Sequence, residues 1–526
     1  MSSDLVRGRA PSGPFTQPES ITDPDRLASY LDDAAHVPGG YAAALVEPRS
    51  ERDVSEAVQR ATRVLAIGAQ SSLTGGATPR GETLISTARL RTIVDLADGR
   101  LRVGAGVTLA EIDAHLARRG ALYPPLPTWH GATIGGAVAT NAAGAATFKY
   151  GTTRAWVDEL TIVLASGDVL DLRRGEARAD EQGTFEVQLG SQTLKIPVPR
   201  YRMPDVPKVS AGYYARPGMD AIDLFIGAEG TLGIVTEATL RVRTMRPATA
   251  LAFVTLTDRK VALELVGRLR TAAMQSWRTP GARGIDVSAI EHMDARSLAI
   301  IREDGVDRRL GVEIDTGAVM GLLVALDLPS ATAVDEACAP LAAMLQEFDV
   351  PDAIVAAPDD HAAIERLLAL REAVPLGVNQ RIGRARRDID PRIEKTAADI
   401  IVPFERFGEM QALFDEELQS RGLDGAVWGH ISDGNVHPNI LPRSVAEMES
   451  GREAVLAFGR AAMRMGGSPL AEHGVGRNET KQKLLREMYG DDGIEEMRAV
   501  KRILDPDWKL GSGVIFSRVH LREQHP

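Results

Sequence analysis

A chain of 526 residues suggests about three to four domains or subdomains at roughly 150 residues each. With 61 basic against 72 acidic side chains the net charge is −11, which argues against a general nucleic-acid binder or a polybasic membrane binder. The single Cys excludes an intrachain disulfide framework and also a Cys-ligated iron–sulfur cluster, which needs about four thiolates, so any redox work falls to a cofactor held by other residue types.

The first residues, MSSDLVRGRAPSGPFTQPES, have no continuous apolar core and no twin-Arg pair, so they read as neither kind of export signal. Residues 1–38 read as a flexible leading segment. From 39 to 246 short strands dominate, among them Thr83–Thr87, Thr92–Leu96 and Leu101–Val107. Asp53 and Glu56 flank the start of one helix. Thr108 with Glu111 forms a capping box for another, which carries Leu109, Ile112 and Leu116 on one face and ends at Gly120. ELTIVLASGDVLDLR predicts a hairpin turning at Ser166–Asp168, and TFEVQLGSQTLKIPV a second. Past Arg246–Pro247, Ala- and Leu-rich helical windows alternate with strands to about residue 502, which reads as a separate α/β domain. Its longest apolar run, near Ala318–Leu326, is far short of about 18 residues. It predicts a buried segment, no transmembrane helix and a cytoplasmic protein, with peripheral membrane contact left open.

Fifty glycines point to positions chosen for backbone geometry, and three loops concentrate them. The first, Leu65 to Gly76, follows an apolar strand and offers backbone N–H groups and hydroxyls to a phosphate; it is neither a Walker A nor a Rossmann fingerprint, and a tight strand-to-loop turn is the plain alternative. The second, Pro124 to Gly144 and on to Gly151, lets a flat ligand approach the backbone or else packs as an Ala/Gly helix. The third, Phe225 to Thr236, breaks a strand with glycines.

In this order and at these intervals the loops resemble the FAD-binding domain of the vanillyl-alcohol oxidase (PCMH) type. The resemblance implies an α+β fold: a two-subdomain FAD-binding domain over 39–246, and an α/β cap with an antiparallel sheet over 247–502. It also implies a return of 503–526 to the flavin domain. It implies FAD contacts from Ile67, Gly68, Ala69, Gln70, Ser71 and Ser72; from Pro127, Thr128, Thr133, Gly135, Gly136, Asn141, Gly144 and Gly151; and from Glu229, Gly230, Gly233, Ile234 and Val235. His130 gives no positive signal for a covalent link and Cys338 lies far off in sequence, so the FAD is expected to be non-covalent.

The cap carries AVWGHISDGNVHPNI. A two-residue Asp433–Gly434 turn would make His430 and His437 direct cross-strand neighbours, with Cβ atoms about 4.5–5.5 Å apart, a workable spacing for two ligands of one cation. A hydrogen-bonded His pair or a core position remains the alternative. Glu472, in SPLAEHGVG, offers a third ligand, and two histidines with one carboxylate suit Zn, Mn or Fe.

These segments resemble Gly-His-x-x-Asp-Gly-Asn-x-His and Glu-His-Gly-x-Gly of the FAD-linked D-2-hydroxyacid dehydrogenases, the family of D-lactate dehydrogenase, D-2-hydroxyglutarate dehydrogenase and the glycolate oxidase flavin subunit. KTAADIIVP at 395–403 and the closing KRILDPDWKLGSGVIF fit the same pattern, so the resemblance spans nearly the whole chain. Pro375 stands where the 2-hydroxyglutarate enzyme carries a substrate-binding Thr. The resemblance implies metal-assisted oxidation of a D-lactate-like D-2-hydroxy acid to the 2-oxo acid, with hydride passing to FAD N5. His473 is the candidate base. Arg371, Asn435 and Lys395 are candidate substrate contacts, Arg371 being favoured over the basic cluster Arg381, Arg384, Arg386 and Arg387. Electrons would leave to an external cytochrome, quinone, electron-transfer flavoprotein or oxygen, and a homodimer is the default assembly. The competing readings are an ether-lipid-synthase-like flavoenzyme, an oxidase of another alcohol, a non-redox binding protein, and a zinc hydrolase.

Overall fold

The computed structural model describes residues 5–279, 284–350 and 353–517. Three sheets organise them. A small sheet of four strands runs in the order Ser20–Ile21, Ala44–Val46, Thr83–Ser86, Val64–Ile67, parallel except at its first strand. A second sheet of eight strands contains both expected hairpins, Val157–Val163 with Val169–Arg173 and Thr184–Leu189 with Gln192–Pro197. The third sheet is antiparallel throughout and belongs to the cap. Its path is Ile354–Ala356, Ala248–Leu256, Met320–Leu328, Val287–Asp294, Gly425–His430, Asn435–Ile440 and Thr396–Ala397, with Ile400–Ile401 also pairing on Asn435–Ile440.

Local sequence explains the elements that carry the first lobe. Thr108 Oγ1 accepts from the backbone N–H of Glu111, and the Glu111 carboxylate accepts from the N–H of Thr108, so the capping box forms and starts the helix Leu109–Ala117. Leu109, Ile112 and Leu116 are all fully buried on one face. The apolar run expected near 318–326 is the central cap strand Met320–Leu328, buried because it is covered on both faces.

The leading segment departs from expectation. Val6–Arg9 is a strand, parallel to Thr184–Leu189 on one side and antiparallel to Val169–Arg173 on the other, and Arg9 pairs with Glu51 and Asp171. A Pro- and Gly-rich composition gave no sign of this, because Val6–Arg9 completes a sheet formed by residues far along the chain.

The last described residues, to about 517, return to the first lobe. Val64 N–H donates to Lys509 O and Gly511 N–H to Val64 O, which adds the tail beside the small sheet. The return begins before residue 503: Leu470, Val475, Leu485 and Met497 already pack in the first-lobe core with Leu504, Trp508 and Phe516. Lys501, 1% exposed, anchors it by donating to Thr231 O, Asp505 Oδ2 and Leu510 O at 2.8–2.9 Å. Removing one partner of a buried ion pair strands the other, which costs about 3–5 kcal/mol. Lys501→Met is therefore expected to lower the thermal midpoint markedly, read by circular dichroism.

Candidate functional site

The site lies where the two lobes meet, in a cavity of about 490 Å³. One wall comes from the glycine loops. Gly68, Ala69, Gln70, Ser71 and Ser72 line it, as do Pro127, Thr128, Thr133, Gly136 and Glu229. The opposite wall comes from the cap, with Arg371, Lys395, Asp399, Trp428, His430, His437, Glu472 and His473. The flavin-type loops and the histidine cluster therefore share one space.

Within the expected flavin-contact set the loops divide. Gly68, Ala69, Ser71, Ser72 and Gly136 carry small side chains or none and keep the backbone close to the cavity, which suits a flat ligand. Gln70 has a second task. Its side-chain amide donates to Tyr30 O, Asp32 O and Ala77 O, so it pins the loop. Residues 134–140 form the Ala/Gly helix that was the alternative for the second loop. Gly135 is there for packing: a Cβ would sit 2.7 Å from that of Ala105. Asn141 adopts φ 50 as the helix C-cap and accepts from Arg154 N–H. Gly144 is pressed against Leu126 O and Gly233 against Ile162, while Ile234 and Val235 pair in the sheet with Val163 and Ile162. Ile67 is a buried strand end, and Gly151 and Gly230 take positive φ in turns. These nine residues shape the lobe behind the cavity wall rather than the wall itself.

The hairpin corrects one expectation. Trp428 pairs with His437 and His430 with Asn435, so the loop is Ile431–Gly434 and the two histidines are diagonal, not direct, neighbours. The shift is by two residues, one pleat period, so both rings stay on one face. They stand 5.6 Å apart and almost perpendicular. The longer loop forms because it is buried: Ser432 Oγ accepts from Ile290 N–H, and Asp433 points inward to Lys208. Gly434 is needed for its φ of 84 and because a Cβ would lie 2.1 Å from Val402 O.

Glu472 is the centre of the cluster. Its Oε1 lies 3.2 Å from His437 Nε2 and 3.5 Å from both His430 Nε2 and His473 Nε2. Two of these imidazole nitrogens, those of His430 and His437, with the Glu472 oxygen form a donor set that a divalent cation fits, and His473 Nε2 stands beside it. The remaining ring nitrogens are oriented by acids. His430 Nδ1 bonds Glu291, whose other oxygen accepts from Arg371 Nε at 2.7 Å. His437 Nδ1 and His473 Nδ1 lie 3.5 and 3.4 Å from the two oxygens of Asp399. Asp399 also accepts the backbone N–H groups of Glu472 and His473, and its ring and main-chain partners account for both of its oxygens. It falls within 4.8 Å of His437, Glu472 and His473 as a possible ligand, but its bonds fit an orienting role.

Burial resists charging of Glu291, yet His430 and Arg371 outweigh it and hold the carboxyl down to about 2. Burial lowers His473 to about 4, so its imidazole is neutral near pH 7. Burial alone brings Lys395 down to about 8. Its side chain is exposed along the open face of the cavity, with enough protein around it to disfavour the charge.

Among the expected substrate contacts, Arg371 and Lys395 line the cavity and Asn435 does not. The Asn435 amide donates to Asp399 Oδ1 and Ile400 O, so it positions Asp399 from behind. Arg371 spends two donors on Glu291 and Glu372 and keeps further N–H groups for an anion. Three residues were not anticipated. Asp399 sits within the quoted KTAADIIVP segment and could have been found there. Glu291 and Lys208 carry no local signal, since only the tertiary fold brings them to the histidines.

Known proteins agree with this architecture. Residues 42–173 match the family described as FAD binding domain, and residues 258–515 match FAD linked oxidases, C-terminal domain. D-lactate dehydrogenase of Archaeoglobus fulgidus is 29% identical over 90% of this chain and 91% of its own. D-2-hydroxyglutarate dehydrogenase of Xanthomonas citri pv. viticola is 28% identical over 94% and 93%. Glycolate oxidase subunit GlcD of Bacillus subtilis is 27% identical over 90% and 89%. An alkyldihydroxyacetonephosphate synthase structure superposes with a TM-score of 0.60 at 14% identity, covering 96% of this chain and 86% of its own, which is a likeness of fold. The chain thus carries the FAD binding domain, in its PCMH-type fold, and the C-terminal domain of FAD linked oxidases. It is an FAD-linked oxidoreductase. Among the described residues no helix is long and apolar enough to cross a membrane.

Because Asp399 orients Glu472, His437 and His473 together, Asp399→Asn is expected to lower turnover about 10–100-fold. The visible flavin bands of the purified variant should match those of the wild type.

Proposed function

We propose that the protein oxidises a D-2-hydroxy acid of the D-lactate type to its 2-oxo acid, with non-covalent FAD as the internal oxidant and an external acceptor for the electrons. The observation that supports this reading is the single cavity walled on one side by the flavin loops and on the other by a carboxylate ringed with imidazoles. Bound FAD supplies hydride acceptance at N5. A divalent cation held by His430, His437 and Glu472 would supply Lewis acidity toward the substrate hydroxyl. His473, neutral near pH 7, takes the hydroxyl proton at its free nitrogen. The Asp399 carboxylate stabilises the imidazolium that results. Arg371 pairs with the substrate carboxylate, and Lys395 adds a second positive charge to the same pocket. A hydride and a proton thus leave the carbinol on opposite sides, and the walls that receive them belong to different lobes. The relatives named for D-lactate and D-2-hydroxyglutarate support this substrate class. Pro375, which lines the cavity four residues after Arg371, favours the smaller acid.

The visible spectrum and a substrate panel test the reading. Purified protein should show flavin bands and reduce an artificial dye with D-2-hydroxy acids; activity with L-isomers alone, or a colourless protein, overturns it. Wild type should retain a divalent metal that His437→Ala loses, and equal content in both would remove the metal from the scheme. A third expectation follows from Lys395. Its ammonium is charged below about 8 and neutral above, so its help to an anionic substrate is present at low pH and lost as pH rises. kcat/KM should therefore fall through about pH 8, and Lys395→Met should flatten that limb while lowering kcat/KM at pH 7.

A further inference from the structure

Lys208 lies on the irregular segment of the flavin lobe between Gln192–Pro197 and Ile222–Phe225, and it is 1% exposed. Its Nζ is 2.9 Å from Glu472 Oε2, 3.1 Å from Asp433 Oδ2 and 3.5 Å from Gly144 O. Glu472 and Gly144 O accept hydrogen bonds from the ammonium, and Asp433 faces it as a second counter-charge. Two residues further on, Ser210 N–H donates to Leu470 O and Ser210 Oγ to Thr140 O, which fixes the segment against the stretch leading to Glu472. Burial opposes the charge on Lys208, but Asp433 and Glu472 outweigh it and hold the amine above its ordinary range.

The bond to Glu472 divides that carboxylate. Lys208 occupies Oε2, and Oε1 is left facing the Nε2 atoms of His430, His437 and His473. A carboxylate held this way can give a cation one oxygen and not two. Without the ammonium, Glu472 and Asp433 would be two buried anions without a common counter-charge, free to turn toward any cation with either oxygen. The ammonium also comes from the lobe opposite to the histidines, so the same bond ties the flavin wall to the cluster.

We propose that Lys208 is a positioning residue that holds Glu472 as a one-oxygen ligand and registers the metal cluster against the flavin lobe. This rests on the reading that His430, His437 and Glu472 hold a divalent metal. The test compares FAD-loaded wild type with Lys208→Met, titrating each with Zn²⁺ or Mn²⁺ in competition with a chromophoric chelator. Expected is metal affinity weaker by about 10-fold or more, as for loss of other partners that orient a ligand. Flavin content and visible bands should be unchanged, and kcat should fall with little change in KM for the hydroxy acid. Lys208→Gln, which keeps a donor toward Glu472 and most of the volume, should fold where Met does not and show a smaller loss of the same sign. Unchanged metal affinity in a variant overturns the positioning role. So does loss of flavin and metal in parallel, which marks a merely structural lysine. Failure of the wild type to bind either metal overturns the underlying metal reading instead.

Discussion

Asp399 is 1% exposed and surrounded by donors: the main-chain N–H groups of Glu472 and His473, the Asn435 amide, and the Nδ1 edges of His437 and His473. A buried carboxylate is tolerated only when such partners satisfy it. Burial raises the cost of its charge, and His473 and His437 together with Lys481 reverse that balance and hold it ionised. The consequence reaches through three stretches of chain. The strand region 396–401, the hairpin 425–440 and the loop after Leu470 all have to converge for this one side chain to be satisfied. Convergence at Asp399 is what presents the free Nε2 atoms and Glu472 Oε1 toward a common point. The tautomers follow as well, because imidazoles that turn Nδ1 toward a carboxylate have Nε2 left as the ligating or proton-accepting atom.

The opposite wall obeys a different constraint. There the chemistry of a large flat ligand calls for backbone at close range, and small residues at 68–72 and 136–143 provide it. The glycines of this lobe nevertheless serve two purposes that composition does not separate. Gly68 and Gly136 lie on the cavity surface. Gly135 and Gly233 are glycine because Ala105 and Ile162 press on them from behind. A loop that approaches a ligand on one side has to be backed closely on the other, so both kinds of glycine arise from one requirement.

That division explains which parts of the protein were legible from residues alone. Spacing placed the helix at 109–117, both hairpins of the first lobe and the histidine hairpin, since capping, alternation and turn residues are local signals. The exact register of the histidine hairpin was not legible, because an Asp-Gly pair announces a two-residue turn only when the turn is solvated. Here Asp433 is drawn inward to Lys208, some 225 positions earlier in the chain, and the loop lengthens to let it reach. The strand at Val6–Arg9 was hidden for the same reason: its partners at 169–173 and 184–189 are distant, and its composition is that of a tail. Asn435 looked like a site residue because of its place in a motif, and it bonds instead to Asp399, the carboxylate beside His437 and His473.

The interface between lobes is thus more than a boundary that happens to hold a cavity. A reaction that separates a hydride from a proton is served by walls of unlike character, one built of small residues and close-fitting backbone, the other ionic and hydrogen-bonded. A single compact core cannot offer both at one point, because close packing of small residues and a network of paired charges make opposite demands on burial. Two lobes can, provided their relative position is held. The contacts that hold it are themselves polar and specific: Lys149 reaches from the flavin lobe to Asp286 and Asp327 of the cap at 2.8 Å, and Lys208 of the flavin lobe pairs with Asp433 of the cap hairpin at 3.1 Å. Such pairs fix direction as well as distance, which apolar contact alone does not. The fold therefore sets the geometry of the site from outside it, through charges that never touch the substrate.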